Sequence, residues 1–174
     1  MIARACPVAA ILVVAMASVA PPSLHADPLP CIEHDVLVKG GSMTPRIRDG
    51  ATIKVISGGP HCAQPLTRGD VLALDVSSSP LPLIKSLRGL PGDAFGIDND
   101  RITIDGKILT NDQGIAYHVG PAGTAMLRLY ERDYHGIIPL DSYLVLGENP
   151  SGTLDSTRFG LISRDAIIGR MVEY

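Results

Sequence analysis

The sequence predicts a mostly β domain, and three observations support this prediction. The 174 residues include 18 Gly and 14 Pro, which interrupt helices and are typical of short strands joined by turns. Short runs of Val, Ile and Leu lie between these turn residues. No stretch keeps apolar residues at the 3.6-residue spacing of an amphipathic helix. We therefore place a single β-rich domain at about residues 32–174.

The predicted strands follow one another along the chain. Runs rich in Val, Ile and Leu predict strands at 51–57, 71–76, 83–88, 142–147 and 166–173. The clearest local pattern lies at 101–109, where Ile102 and Ile104 alternate with polar residues. Asp105-Gly106 follows, and this pair favours a tight hairpin turn. Residues 58–68 and 115–125 are predicted to be loops.

The first 26 residues differ from the rest of the chain. No charged side chain occurs from Ala5 to Leu24, and residues 7–20 have the apolar character of the centre of a secretory signal. Pro21-Pro22 ends any helix there, and the run is slightly shorter than the about 20 apolar residues that span a bilayer. Residues 1–26 are therefore predicted to be a cleaved signal peptide or a short membrane anchor. Either one places the domain in the periplasm or at the extracytoplasmic face of the inner membrane.

Charge and motifs exclude several classes of function. The net charge of −3 gives no basic footprint for nucleic acid. The sequence has no Gly-x-Ser-x-Gly, His-Glu-x-x-His or Ser-x-x-Lys motif, and no phosphate-binding loop. Cys6 lies in the first 26 residues, which leaves Cys31 and Cys62 either as a disulfide in an oxidising compartment or as two isolated thiols. Neither cysteine has the spacing of a zinc ligand to a histidine, so no metal site is predicted.

Residues 40–45 carry the first candidate for chemistry. Gly40-Gly41 allows the chain to approach another backbone closely, and Pro45 fixes the exit from the turn. Ser42 in such a turn can present its hydroxyl to a peptide carbonyl. A structural Gly-Ser turn is the alternative interpretation.

Lys85 is the second candidate. In the predicted strand 83–88 it shares a face with Leu83 and Leu87, and an apolar face favours the neutral amine over the ammonium. A neutral lysine can accept the proton of a serine hydroxyl. The alternative is a lysine whose stem covers apolar surface while its head reaches water.

Four sequence boxes, in order, resemble those of the type I signal peptidases, the membrane-bound Ser-Lys serine proteases of the S26 family. The boxes are a serine box (Gly-x-Ser-Met-x-Pro) at 40–45, a Gly-Asp box at 68–74, a lysine box at 84–93 and a last box at 147–160. The resemblance implies a signal-peptidase-like antiparallel β-sheet domain with short helical or loop segments. It also implies a serine endopeptidase that cleaves leader peptides from exported precursor proteins.

The resemblance assigns roles to particular residues. It implies that Ser42 is the nucleophile, that Lys85 is the general base, and that the backbone N–H of Ser42 contributes to the oxyanion hole. The supporting residues that it implies are Thr153, Asp155, Gly41 and Met43. Thr153 stands where the family often has a serine that orients the lysine amine. No metal and no organic cofactor is implied.

A few positions depart from the family pattern. Gly40 stands where some members have a hydroxyl residue, which removes a side-chain donor to the oxyanion. Glu148 replaces an aspartate conservatively. Thr157 stands where an arginine usually pairs with the preceding aspartate, here Asp155, and Arg158 is one residue away. The family's Asp–Arg pair is therefore not expected in its usual form.

The implied partners are exported precursors whose leader has small residues at the first and third positions before the cut, together with the membrane surface. The short chain favours a specialised paralogue, such as one that processes pilins in a conjugation or secretion system. The principal alternative is a catalytically silent, exported peptide-binding β domain of the same fold. A self-cleaving regulator of the repressor type conflicts with the leader, and a purely structural secreted domain leaves the four boxes unexplained.

Overall fold

The structure is a computed structural model that describes residues 30–58, 61–62, 65–77, 79–149 and 152–173. The predicted leader, residues 1–26, lies outside this part of the chain. In the ranges described, no helix is both long enough and apolar enough to cross a membrane.

Strands account for most of the regular structure in these ranges. The elements are β1 (Ile32–Leu37), β2 (Thr52–Ser57), β3 (Val71–Leu74), β4 (Leu83–Gly89), β5 (Phe95–Asp98), β6 (Arg101–Ile104), β7 (Lys107–Ile108), α1 (Pro121–Asp133), β8 (Ser142–Leu146), α2 (Ser156–Phe159), β9 (Ile162–Ser163) and β10 (Ile167–Glu173). One sheet has the order β1-β2-β10-β3-β4-β8-β9, and a smaller one has the order β5-β6-β7. Every pair of neighbouring strands is antiparallel, which confirms the predicted fold class.

The centre of the larger sheet is buried on both faces. Along β3, Val71 and Ala73 pack in one hydrophobic cluster, whereas Leu72 and Leu74 pack in another. This alternation is the two-residue period of a strand. A third cluster lies between the smaller sheet, α1 and β8. Strands β3 and β4 therefore form a rigid support for any side chain that they carry.

The predicted strands agree with the structure where the apolar pattern is strong. The five predicted runs contain β2, β3, β8 and β10 and all of β4 except its last residue, Gly89. The turn between β6 and β7 is also as predicted, because Asp105 and Gly106 have φ angles of 51° and 73°. Two positive φ angles in succession are typical of the tight turn that Asp-Gly favours.

The prediction of a loop at 115–125 is wrong in part, because α1 begins at Pro121. Pro at the first helical position loses no intrahelical hydrogen bond. Only Gly123 and Leu127 of this helix are buried, so the helical period is almost invisible in the pattern of apolar residues. A Cβ atom on Gly123 would lie 2.8 Å from the backbone oxygen of Thr157, which shows how closely the helix packs there.

Candidate active site

The turn that carries Ser42 connects β1 to β2 and is anchored by two buried side chains. Met43 and Ile47 are 0% exposed and pack in the cluster beneath β2 and β3. The Ile47 amide donates to the Met43 carbonyl at 2.8 Å, and the amide of Gly40 donates to Asp49 Oδ1 at 2.7 Å. Gly40 has a φ of 85°, a conformation that glycine adopts without strain. These contacts hold Ser42 half-buried at the surface of the sheet.

Lys85 lies on β4, between β3 and β8, and is 2% exposed. Its Nζ is 2.8 Å from Ser42 Oγ and donates to the Ile84 carbonyl at 2.8 Å. Burial lowers the pKa of Lys85 from 10.5 to about 8, against the opposing effect of the Asp155 carboxylate. The predicted neutral amine therefore has a physical basis, since about half of the lysine is neutral near pH 8.

Asp155 organises residues 147–157, the third segment of the site after the serine turn and β4. Its carboxylate is 3% exposed and accepts hydrogen bonds from the Gly147 amide at 3.1 Å and the Thr157 amide at 3.0 Å. The hydroxyl of Thr157 also donates to it, at 2.8 Å, and so does the hydroxyl of Thr153. Asp155 thus caps the N-terminus of α2, where a carboxylate oxygen satisfies a free backbone N–H.

These contacts show what replaces the family's Asp–Arg pair at Asp155. Thr157, which stands in place of the family's arginine, bonds to Asp155 through both its amide and its hydroxyl. Arg158 is exposed. Asp155 therefore accepts hydrogen bonds from two neutral groups of Thr157, in place of the ion pair with arginine that the family pattern would give. The side chain of Thr153 donates to Asp155, and its role in orienting Lys85 stays a prediction.

Gly147 is the point where the third segment meets the serine turn. A Cβ atom there would lie 2.6 Å from the Ser42 carbonyl oxygen and 2.5 Å from Thr153 Oγ1. Real Cβ atoms do not approach other atoms so closely, so this position requires glycine. The next residue, Glu148, donates its amide to the same Ser42 carbonyl at 2.8 Å.

An ionic network behind the site, centred on the buried side chains of Arg88 and Glu148, was not found from the sequence. The carboxylate of Glu148, 1% exposed, accepts from Arg88 Nη2 at 2.5 Å and from the hydroxyl of Ser86. Asp112 Oδ1 is 2.7 Å from the same Arg88 nitrogen, and Asp112 Oδ2 is 3.0 Å from Arg46 of the serine turn. The network therefore joins the serine turn to the strand of the lysine. One signal was present in the sequence, since an arginine within an apolar strand requires a carboxylate partner.

An apolar cleft of about 460 Å³ opens beside Ser42 and Lys85. One wall is formed by residues 36–39 at the end of β1, and the other by residues 81–85 leading into β4. Both walls are extended or lead into strands, which suits an extended peptide. The site therefore combines a hydroxyl, an amine that burial makes less basic, and a groove for a chain.

Comparisons with known proteins show the family of the chain. The family model described as "Signal peptidase, peptidase S26" matches residues 8–174. The chain is 31% identical over 141 residues to signal peptidase I U of Bacillus subtilis (strain 168), covering 76% of this chain and 70% of that protein. It is 28% identical over 141 residues to signal peptidase IB of Staphylococcus aureus (strain COL), covering 77% and 73% respectively.

A solved structure was also found. It is a crystal structure of a signal peptidase I from Enterococcus faecalis V583, with a TM-score of 0.44 and 21% identity, covering 62% of this chain and 97% of that one. From the family model and the relatives, the chain belongs to the signal peptidase family, peptidase S26, and is a serine-type peptidase that cleaves leader peptides.

Proposed function

We propose that Ser42 is the nucleophile and Lys85 the general base of leader-peptide hydrolysis. The observation that carries this proposal is the 2.8 Å contact between Ser42 Oγ and Lys85 Nζ, with the lysine 2% exposed. Burial lowers the lysine pKa to about 8, which brings a neutral amine into the working range of an enzyme. A proton can therefore pass directly from the hydroxyl to the amine.

The reaction proceeds in two halves. Ser42 Oγ attacks the scissile carbonyl carbon while Lys85 takes the hydroxyl proton, and the resulting ammonium gives that proton to the leaving amine. The leader is then held as an ester on Ser42. Lys85, neutral again, takes a proton from a water molecule that attacks the ester. As the ester bond breaks, the Lys85 ammonium returns this proton to Ser42 Oγ, and the released leader carries a carboxyl terminus.

The supporting residues hold this pair in place. Met43 anchors the turn in the core, and Gly41 accepts the amide of Thr44 at 3.1 Å through its carbonyl. Asp155 holds Thr153 by a hydrogen bond, and in this proposal Thr153 keeps the lysine amine in line. These residues do not react; they position the two that do.

The oxyanion is stabilised, in this proposal, by the backbone N–H of Ser42. Gly40 offers no side chain to assist it, because the position that holds a hydroxyl in some family members is a glycine. Removing one donor from an oxyanion hole lowers kcat by about 10²–10³ where the donor is used. We therefore expect slower acylation than in a relative that retains the side-chain donor.

The substrate is an exported precursor with small residues at the first and third positions before the cut. Apolar walls at 36–39 and 81–85 suit the apolar part of a leader in extended form. We infer that residues 1–26, as a signal peptide or an anchor, bring the catalytic domain at 32–174 to the periplasm or to the extracytoplasmic face of the inner membrane. Family membership supports this location and these partners.

The experiment is cleavage of a panel of precursor proteins by the wild type and by Ser42→Ala. We expect cleavage by the wild type only, and an acyl adduct on Ser42 with an acylating serine inhibitor. Ser142→Ala, a change at a partly buried serine of β8, is the control and should cleave normally. Binding of leader peptides with neither cleavage nor adduct would instead show the silent peptide-binding domain.

A further inference from the structure

The structure joins Cys31 and Cys62 in a disulfide whose two halves differ in exposure. Cys31 is exposed, whereas Cys62 is 6% exposed. His61 Nε2 lies 3.2 Å from Cys62 Sγ, so the imidazole is next to the buried sulfur. One cysteine of the bond is therefore exposed, and the sulfur of the other lies beside an imidazole nitrogen.

This asymmetry matters because thiol–disulfide exchange is directional. A thiolate attacks one sulfur of the bond, and the other sulfur leaves as a thiolate. A nitrogen donor that protonates or pairs with the leaving sulfur accelerates the step. Here the exposed residue is Cys31, and the sulfur beside the imidazole nitrogen is that of Cys62.

The disulfide also restrains the wall of the substrate cleft. It closes a segment of 31 positions that contains β1, the Ser42 turn and β2. Strand β1 is at the edge of the sheet and pairs only with β2 among the described strands; of its residues only Val36 is even partly buried. Few apolar contacts therefore hold β1, and its C-terminal end leads into the cleft wall at 36–39.

The close approach of backbone at Gly58 fixes the position of the disulfide against β2. A Cβ atom at Gly58 would lie 2.4 Å from the Pro30 carbonyl oxygen and 3.3 Å from Cys62 Sγ. The disulfide therefore clamps the start of β1 directly onto the end of β2.

We propose that Cys31–Cys62 is an exchange site for a dithiol reductant, with attack at Cys31 and departure of Cys62 assisted by His61, and that opening it weakens substrate binding in the cleft. The first thiolate forms a mixed disulfide with Cys31, and the Cys62 sulfur leaves with a proton from His61. The second thiol of the reductant then displaces Cys31. The protein gains two thiols and the dithiol becomes a disulfide, so electrons and protons balance.

The consequence for activity rests on the proposed function, but the exchange step does not. When the clamp opens, the start of β1 separates more readily from β2, and the cleft wall is held less firmly. Lys85 lies outside the closed segment, and the Ser42 turn, although inside it, is held in the core by Met43 and Ile47, so the chemical step is less affected than binding. We therefore expect reduction to raise KM several-fold and to leave kcat nearly unchanged.

The exchange step is tested on the full-length protein in detergent, with Cys6→Ser to remove the third thiol. Brief treatment with glutathione, alkylation and peptide mass spectrometry locate the mixed disulfide, which we expect on Cys31. His61→Asn should slow reduction by dithiothreitol about 100-fold, at the lower end of the range for general acid catalysis. The matched control is His135→Asn, since His135 is an exposed histidine whose φ of 54° asparagine tolerates.

The functional step is tested by kinetics of a leader-peptide substrate before and after complete reduction. The double variant Cys31→Ser/Cys62→Ser should show the raised KM without any response to reductant, and oxidised His61→Asn should keep the original kinetics. Glutathione on Cys62, equal reduction rates in the two histidine variants, or an unchanged KM after full reduction would each contradict the proposal. Failure of the proposed function is distinguishable, because then no acyl adduct forms on Ser42 while the exchange results stand.

Discussion

Burying Lys85 destabilises the folded protein unless the amine loses its proton. A shift from 10.5 to about 8 corresponds to about 3 kcal/mol of disfavoured ammonium at neutral pH. The folded-state pKa lies below the unfolded one, so the unfolded state binds more protons between pH 8 and 10.5. The destabilisation is therefore complete below about pH 8 and is relieved as the pH rises towards 10.5. The same property is what the proposed role of Lys85 as general base requires.

Replacing Lys85 with methionine should separate the effect of the buried amine on stability from its effect on activity. Lys85→Met retains a long side chain without an ionisable group, so we expect no activity and a free energy of unfolding higher by about 1–3 kcal/mol at pH 7. Urea unfolding at pH 7 and at pH 10 measures this, and the gain should shrink at the higher pH. A loss of stability at pH 7 would show that the amine makes interactions that outweigh its desolvation.

The pH–rate profile reports on the same group. We expect kcat/KM to rise with pH through an apparent pKa near 8, because the neutral amine is the active form. Lys85→Arg should be as inactive as Lys85→Ala, since a guanidinium keeps its proton at working pH. Activity retained in Lys85→Arg would place the general base elsewhere.

We expect Asp155 to influence the pH at which kcat/KM rises. Its carboxylate raises the pKa of Lys85 against the effect of burial, so Asp155→Asn should move the rising limb to lower pH. Asparagine keeps an oxygen that can accept from the Thr157 amide, which preserves part of the cap of α2. Asp75→Asn, at an exposed position after β3, is the control and should leave the limb in place. A limb that moves to higher pH in Asp155→Asn would contradict this assignment.

Whole elements were predictable where burial and sequence pattern coincide. The runs over β2, β3 and β8 carry apolar residues that the core requires, so their composition alone indicates strands. Strand β1 was not predicted, because it is an exposed edge whose pairing comes from its neighbour and not from its own side chains. Helix α1 was missed for a related reason, since one of its two buried residues is a glycine.

The residues of the candidate site also divide into those that the sequence predicted and those that it did not. Ser42 and Lys85 were found from a glycine turn and from a charge on an apolar face, and the resemblance brought the two together. The network of Arg46, Asp112 and Arg88 was missed because its members come from separate segments. No local spacing relates them, and only the paired sheet brings them within reach.

The backbone contact at Gly147 should be sensitive to a single methyl group. Gly147→Ala places a Cβ atom against the Ser42 carbonyl and the Thr153 side chain, so the serine turn must shift. We expect kcat to fall by at least about tenfold, because small displacements of reacting groups have large effects on rate. Gly120→Ala is the matched control, since a Cβ there meets nothing within 4 Å and its φ is −62°. Equal kcat in the two variants would mean that the turn adapts freely.

At the scale of the whole molecule, we propose that the first 26 residues determine where the catalytic domain acts. Their apolar run is short for a spanning helix and is followed at once by Pro21-Pro22, so any anchoring should be marginal. Cell fractionation and sequencing of the mature N-terminus measure this. A protein starting at Asp27 in the soluble fraction would refute anchoring, and an intact Met1 in membranes would refute cleavage.

The order of strands has a consequence for when this protease can first act. β2, which follows the Ser42 turn, does not pair with β3; β10 lies between them and hydrogen-bonds to both. The hairpin that bears the hydroxyl is thus joined in the sheet to the strands that bear the amine through Ile167–Glu173, a segment that leaves the ribosome well after both. A nascent chain that already contains Ser42 and Lys85 still lacks the strand that brings them together. We therefore expect a chain that ends before Ile167 to have no proteolytic activity, because it lacks the strand that joins the serine hairpin to β3 and β4 in the sheet.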